Sequence, residues 1–400
     1  MNEAKLKRIR SYFVETVKYC LAKTYACLFY RHRHIWLFSE RGTDARDNGL
    51  YMYRYVRTHH PEIEAYYVIS KDSKDRNKLA SLGNLVDTQS FRHYILFFAA
   101  EYRISSHNRG AYPANDYYSF LKRKLGREPI ENRSVFLQHG IIKDDMPGLY
   151  KKNAYLRLFI CGAKPEYDYI LSRYGYSEKE LKYTGLARFD GLHDFQIKRQ
   201  VLVMPTWRDW LSPNFHGKNI DSKVVIDSSF FHHWNSLLTS PRLGELAQKY
   251  DVSFVFYPHY EMQPFLNLYE AGNASIVLAD FEHYDVQQLL KESMLLITDY
   301  SSVFFDFAYM NKPVLYYQFD EAEYRANHYA EGYFDYRRDG FGEVVTEEGR
   351  LLAILEQYLE MGCQLKPEYA QRIEGFFPLH DANNCERIYN EIIKLKVNPL

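Results

Sequence analysis

The stretch Met294-Leu295-Leu296-Ile297-Thr298-Asp299-Tyr300-Ser301-Ser302 decides how the chain is read. Its first five residues form a short apolar, β-branched run, as expected of a strand buried on both faces of a parallel sheet. Asp299, Ser301 and Ser302 then favour a helix start, and a helix is expected over Ser302–Met310. The free N–H groups and dipole of a helix start, with two hydroxyls beside them, suit a phosphate. Plain helix capping explains the same residues, and on this stretch alone it is the simpler account.

Outward from there the same alternation recurs. Strands are expected at Val201–Pro205, Val252–Tyr257, Ser275–Leu278, Met294–Thr298 and Val314–Tyr317, with helices at Phe230–Tyr250, Val286–Glu292 and Ser302–Met310. An earlier series places strands at Ile35–Ser39, Ala65–Ile69, Arg103–Ser106, Ser134–Gln138 and Leu156–Cys161, with helices at Asn48–Thr58 and Phe91–Ala100. Helical segments at Pro367–Phe376 and Asn383–Lys396 close the chain. Strand–helix alternation implies parallel sheets with helices on both faces. At 400 residues two such halves are expected, joined near residues 190–200. Ligands of doubly wound sheets sit at the carboxyl ends of the strands, so the residues that follow each strand carry the functional reading.

Gln138-His139-Gly140 follows one strand, and Pro258-His259 follows another. A histidine there can serve as a general base near neutral pH. Each alone is as well explained as structural; one per half is harder to dismiss. Lys143, Asp144 and Asp145, on the loop after His139, read as a solvated face. Pro205-Thr206-Trp207-Arg208 ends a third strand with an arginine. It could be a bidentate phosphate clamp or a surface side chain stacked on Trp207 or Trp210. Thr184-Gly185-Leu186-Ala187-Arg188-Phe189-Asp190 reads as a hinge or a ligand loop, with the hinge favoured. There is no G-x-G-x-x-G fingerprint, no P-loop and no metal-ligand spacing. Neither a cofactor nor a bound metal is expected, with transient Mg²⁺ on phosphates left open.

The charges sum to zero but are uneven. Residues 1–34 hold eight Lys/Arg against Glu3 and Glu15, a surplus of six, so the rest carries the opposite surplus. Leu6, Ile9, Phe13, Val17, Leu21, Tyr25 and Leu28 recur at helical spacing over residues 4–29. Two readings compete: a helix lying on an anionic membrane surface, or one packed on its own domain. The charge bias tips the balance to the membrane. No uncharged apolar run reaches the roughly 18–20 residues of a membrane span, and charges interrupt any signal-peptide core. Five cysteines without a C-x-x-C pair point to a reducing cytoplasm rather than a disulfide framework.

In this order the segments resemble the CDP-glycerol glycerophosphotransferase family, which builds teichoic acids and related capsule polymers. The matching pieces are Trp36-Leu37-Phe38 with Asp47-Asn48-Gly49, Gln138-His139-Gly140, Thr184-Gly185 with Arg188-Phe189-Asp190, Pro205-Thr206-Trp207-Arg208, Pro258-His259, and Thr298-Asp299-Tyr300-Ser301-Ser302 with Asp306. Lys312-Pro313, Tyr316 and Asp320 extend the last block. The resemblance implies a GT-B fold, two Rossmann-like domains facing a cleft. Its implied divisions are a membrane-association helix at 1–34, an acceptor domain at 35–195, a CDP-donor domain at 196–375 and a C-terminal helix at 376–400. It implies transfer of glycerol phosphate from CDP-glycerol to a lipid-linked or polymer hydroxyl, with release of CMP, at the cytoplasmic face of the membrane as a peripheral protein. No nucleic-acid partner is expected.

By the same resemblance His139 and His259 are the catalytic pair. Arg208, Asp299, Ser301 and Ser302 hold the donor phosphates, and Gly140, Arg188 and Asp306 are substrate-binding candidates. The sequence departs from the family pattern in three places. No basic residue follows Pro258-His259, Ala187 stands in the proline position before Arg188, and a proline common in the Gly332–Gly342 region is absent. CDP-ribitol therefore stays open as donor. A GT-B glycosyltransferase using a nucleotide sugar and a non-catalytic membrane-associated binding subunit are the rivals.

Overall fold

Along each strand, alternate side chains go to opposite faces of the sheet, and here both faces are apolar. In the first strand Trp36 and Phe38 enter one core while Ile35 and Leu37 enter the other. Such a strand is stable only if helices cover both sides. The structure, a computed structural model, describes residues 3–212 and 220–395. It divides into two units: residues 1–139, 147–191 and 381–400, and residues 140–146 and 192–380.

The first unit holds strands β1 (Ile35–Ser39), β2 (Glu64–Ile69), β3 (Leu85–Asp87), β4 (Tyr102–Ser105), β5 (Ser134–Phe136), β6 (Leu158–Cys161) and β7 (Leu181–Tyr183), all parallel, in the order β3-β2-β1-β4-β5-β6-β7. Its helices are α1 (Glu3–Phe29), α2 (Asn48–His59), α3 (Phe91–Ala99), α4 (Asn115–Leu125) and α5 (Lys164–Arg173). The second unit contributes α6 (Ser222–Ile226), α7 (Ser229–Thr239), α8 (Pro241–Tyr250), α9 (Val286–Glu292), α10 (Val303–Tyr309), α11 (Glu321–Asn327), α12 (Glu348–Glu360) and α13 (Pro367–Phe376). Its strands are β8 (Gln200–Val203), β9 (Ser253–Phe256), β10 (Ile276–Leu278), β11 (Leu295–Thr298), β12 (Val314–Tyr317) and β13 (Gly342–Val345). They form a second parallel sheet, β10-β9-β8-β11-β12-β13. The final helix, α14 (Asn384–Ile393), returns to the first unit.

Both sheets are doubly wound, with the order reversing at β1/β4 and at β8/β11. The two Rossmann-like units make this a GT-B fold.

Several expectations are corrected. The single helix over Phe230–Tyr250 is two, because Ser240 is extended and Pro241 starts α8; proline has no N–H to continue the first helix. Strands β3 and β13 are too short and too polar to stand out in sequence. Residues 140–146 group with the second unit, and 381–395 with the first. Lys396, the expected end of the last helix, lies outside the described residues, as do residues 1–2 and 397–400 of the expected end segments.

The return of α14 is built from polar capping and apolar burial. Asp190 Oδ1 accepts from Asn384 N (2.8 Å), and Oδ2 from Cys385 N (2.8 Å). Gly185, at φ +80, lies where a Cβ would meet Asn384 Oδ1 at 1.9 Å. The loop read as a hinge is therefore the seat of α14. Cys385, Ile388 and Ile392 are buried with Trp36, Phe38 and Ile104. Ile388→Ala is expected to destabilise the protein by about 2–5 kcal/mol, read as a lower urea midpoint; an unchanged midpoint would mean that α14 is not part of this core.

Helix α1 packs on its own unit through one face and leaves the other exposed. Tyr19, Ala22 and Ala26 are buried in one core with Tyr94, Phe97 and Tyr117, and Glu15 accepts a hydrogen bond from Tyr94 Oη at 2.5 Å. The stripe singled out in the sequence faces outward: Leu6, Ile9, Phe13, Val17, Leu21, Tyr25 and Leu28 are exposed, Phe13 to 68% and Leu28 to 69%. No described helix is long and apolar enough to cross a membrane.

Candidate functional site

In the first unit three sequence blocks converge. Asn48 Nδ2 donates to Gln138 O (2.9 Å), and Asn48 Oδ1 accepts from Arg188 N (2.9 Å). Asp47 Oδ1 accepts from Arg188 Nη1 at 2.8 Å and from Asn48 N at 2.7 Å. Arg188 is thus committed to Asp47, and its backbone to Asn48. Gln138 is buried at φ +62, a left-handed conformation uncommon outside glycine; its amide donates to Ile160 O. This strained turn after β5 aims the next residue, His139.

His139 keeps solvent access. Desolvation by the surrounding protein lowers its pKa below 6.5 against the pull of the Asp47 carboxylate, with Arg41 and Arg188 adding to the lowering. The ring is therefore neutral at pH 7, as a base requires. It stacks on His107, with centroids 5.0 Å apart and planes 12° apart. His107 Nε2 accepts from Arg41 Nε (3.1 Å), and burial, then His139, then Arg41, depress its pKa well below the usual value. Sequence reading missed His107, although it stands just past β4 and the post-strand rule would have found it. Glu40, just past β1, was missed too. It accepts from the N–H groups of Arg46 (2.8 Å), Asp47 (2.9 Å) and Leu50 (3.0 Å) and so shapes the start of α2. Burial, with Asp47 and Asp44 beside it, pushes its pKa up to about 8.

In the second unit the ends of β8, β11 and β12 are tied by one polar node. Arg208 is fully buried and binds Asp320 through both Nε (2.8 Å) and Nη2 (3.0 Å). Its Nη2 lies 3.0 Å from Asp299 Oδ2, short of hydrogen-bond alignment. Asp299 Oδ1 takes the N–H of Thr206 (2.7 Å) and of Tyr300 (2.6 Å). Burial opposes the Arg208 charge, but Asp299 and Asp320 outweigh it and hold the pKa up. Phe230, Tyr300 and Tyr324 surround the guanidinium.

Arg208 is not a surface side chain: it is fully buried and paired with two carboxylates. Asp299 is fully buried as well. Lys143, Asp144 and Asp145, read as a solvated face, are buried. Lys143 pairs with Asp144, and Asp144 with Arg325 at 2.6 Å. Asp145 N donates to Ala330 O (3.0 Å), stitching 140–146 into this unit.

Ser301 is buried and Ser302 half-buried. Ser302 occupies the cap position of α10, but its side chain makes no capping hydrogen bond. Simple capping, the plain alternative in sequence, is therefore not what the hydroxyl does. Helix α10 has seven residues, so hydroxyls and loop N–H groups matter more here than a long dipole. A Cβ on Gly140 would sit 2.9 Å from Ser302 Oγ; glycine lets the residue after His139 lie against that hydroxyl. Asp306 is buried within α10. His259, past β9, stacks on Trp207 (5.9 Å, 16°), and its Nδ1 accepts from Glu261 N at 3.3 Å. In the neutral ring that leaves the proton on Nε2, as a donor. His328, another residue missed in sequence, meets Trp207 edge-on at 4.9 Å. Among the described residues no group of three or more His, Cys, Asp or Glu is placed to hold a metal.

Two Rossmann-like units with histidines and hydroxyls past their strands define a protein of the GT-B fold. The chain belongs to the CDP-Glycerol:Poly(glycerophosphate) glycerophosphotransferase family, whose sequence model matches residues 20–394. It is 32% identical over 374 residues to the minor teichoic acid biosynthesis protein GgaB of Bacillus subtilis (strain 168), covering 92% of this chain and 41% of that protein. It is 25% identical over 412 residues to the teichoic acid poly(glycerol phosphate) polymerase of the same strain, covering 94% of this chain and 51% of the polymerase. The chain thus spans about half or less of each of these relatives. Among solved structures, the wall teichoic acid polymerase TagF superposes with a TM-score of 0.65 at 17% identity, over 98% of both chains. A complex of S. aureus MnaA with UDP superposes with a TM-score of 0.53 at 13% identity, over 92% of this chain and 99% of that one. These two likenesses are of fold.

Arg208→Ala is expected to leave two buried carboxylates without a countercharge and to cost about 3–5 kcal/mol of stability, with Arg208→Lys only partly restoring it, because lysine cannot make the bidentate contact. Denaturant midpoints equal to wild type would return Arg208 to the role of a free phosphate clamp.

Proposed function

We propose that the chain transfers glycerol phosphate from CDP-glycerol to a hydroxyl of a lipid-linked or polymer acceptor, releasing CMP, in teichoic acid or related capsule polymer synthesis. The observation that carries this reading is the contact of Gly140 with Ser302. Gly140 leaves room there for the Ser302 hydroxyl, which makes no capping hydrogen bond at the start of α10. The family membership supports it, as do the names of the relatives and a histidine-to-asparagine variant of TagF soaked with CDPG.

In this reading the acceptor hydroxyl attacks the β-phosphorus of the donor. A new P–O bond forms as the P–O bond to CMP breaks, and the acceptor proton passes to neutral His139. His259 donates Nε2–H to the pyrophosphate charge, and the Ser301 and Ser302 hydroxyls hold its oxygens. Arg208 and Asp299 act one step back, by fixing the strand ends that carry these groups. Positioning and charge stabilisation supply most of the rate in such a transfer. A ribitol donor is the second reading, favoured by 24% identity over 252 residues to the teichoic acid ribitol-phosphate polymerase TarL of Staphylococcus aureus (strain NCTC 8325), covering 60% of this chain and 41% of TarL.

CMP release is measured with CDP-glycerol, CDP-ribitol and UDP-sugars. His139→Ala and His259→Ala are each expected to lose about 10²–10⁴-fold in turnover with unchanged melting, and wild-type-like turnover in both would sink the assignment. Because the His139 pKa lies below 6.5, the base stays unprotonated to lower pH than an ordinary histidine. The acid limb of kcat/KM is expected below pH 6.5; a limb above that value would point to another base.

The exposed stripe of α1 is proposed to lie on the anionic inner face of the membrane, with Lys7, Arg10 and Lys23 exposed on the same helix. Phe13→Glu, Leu21→Glu and Leu28→Glu together leave the packed Tyr19–Ala22–Ala26 stripe intact. The triple variant is expected to lose at least tenfold in binding to vesicles containing phosphatidylglycerol, since each apolar side chain buried is worth about 1.5–3 kcal/mol. Undiminished binding would rule out this face.

A further inference from the structure

The second sheet ends in β13, which pairs with β12 on one side only. Along its outer side runs an open groove of about 450 Å³, lined by the whole of β13 and by Arg337, Arg350, Tyr369 and Arg372. Arg372 is held by the carbonyls of Gly340 (2.7 Å) and Arg337 (3.4 Å). The guanidinium groups of Arg337 and Arg350 are exposed, and neither has a carboxylate partner among the described residues. Two acids share the lining. Glu343 is taken up by Lys366 and by Tyr358 Oη (2.9 Å), which leaves Glu347 at the rim as the acid not so engaged. The groove is therefore cationic, and its floor is the outer backbone of an edge strand, whose N–H groups are further donors.

Arginines that are exposed, unpaired and grouped on one cavity are a poor choice for stability and a good one for oxyanions, which they bind in bidentate fashion. The groove is not the donor pyrophosphate site described above. It lies beyond β13, two strands or on the order of 10 Å from β11, and shares no residue with it. Its length along a strand, with basic groups contributed by the segment before β13, by α12 and by α13, suits an extended ligand with repeated charges rather than a single ion.

We infer that this groove binds the phosphodiester backbone of a polyol-phosphate chain, as a subsite that holds acceptors of several repeats. The inference rests on the polyol-phosphate reading of the function for the identity of the chain. Arg337 and Arg350 contact its phosphates, and Arg372 and Tyr369 complete the lining. Such a subsite makes the protein favour longer acceptors over single units, without touching donor chemistry.

The test uses the full chain and the double variant Arg337→Gln/Arg350→Gln, with equal melting temperatures as the folding control. Calorimetry measures binding of a synthetic glycerol-phosphate hexamer, of inorganic phosphate and of CDP-glycerol. Wild type is expected to bind the hexamer at least tenfold more tightly than inorganic phosphate and to lose affinity as salt rises. The double variant is expected to bind the hexamer at least tenfold more weakly and CDP-glycerol unchanged. Equal hexamer affinity in both proteins overturns the subsite while leaving the donor reading intact, and equal affinity of wild type for hexamer and inorganic phosphate overturns its assignment to a chain. Failure of wild type to bind either CDP-glycerol or hexamer overturns the functional reading itself.

Discussion

Arg208 carries its charge where water does not reach, and the second unit is organised around making that tolerable. A buried guanidinium needs both countercharge and full hydrogen bonding. Asp320, past β12, and Asp299, past β11, supply the charge. The carbonyls of Thr206 and Trp207 take Nη1 at 3.1 and 3.3 Å. Because the three residues come from three strand ends, the node sets where each strand stops and the following loop leaves. Ser301 and Ser302 stand on the loop that follows Asp299 in that arrangement.

The first unit solves a related problem with neutral groups. Asn48 bridges the loop after β5 to the loop that seats α14, and Glu40 gathers three N–H groups at the start of α2. Together they support the left-handed Gln138 and present His139. Partial desolvation by the surrounding protein, with Arg41 and Arg188 nearby, disfavours the His139 imidazolium and lowers its pKa.

The placement of segment 140–146 links the two arrangements through the covalent chain. His139 is the last residue of one unit, and Gly140, the first of the other, lies against Ser302. A Cβ at that point would sit 2.9 Å from Ser302 Oγ, so the hydroxyl would have to turn away. The buried Lys143–Asp144–Arg325 cluster then fixes the loop within the second unit, where burial strengthens each pairing.

The alternation of short apolar runs with helices made two parallel sheets legible in the sequence, because strands buried on both faces need near-continuous apolar residues. The post-strand positions of His139, His259 and Ser301-Ser302 were legible for the same reason. Periodicity also found the stripe from Leu6 to Leu28, but it could not tell that a second, smaller stripe of Tyr19, Ala22 and Ala26 packs inward, since alanines leave little hydrophobic signal. Tertiary structure alone decided the fate of the charged residues. Arg208, Asp299 and Asp144 look in sequence like any exposed ions, and long-range pairing, 112 residues apart for Arg208 and Asp320 and 181 for Asp144 and Arg325, makes their burial affordable. It likewise decided that the last helix returns to the first sheet, through an aspartate that caps it from 194 residues away.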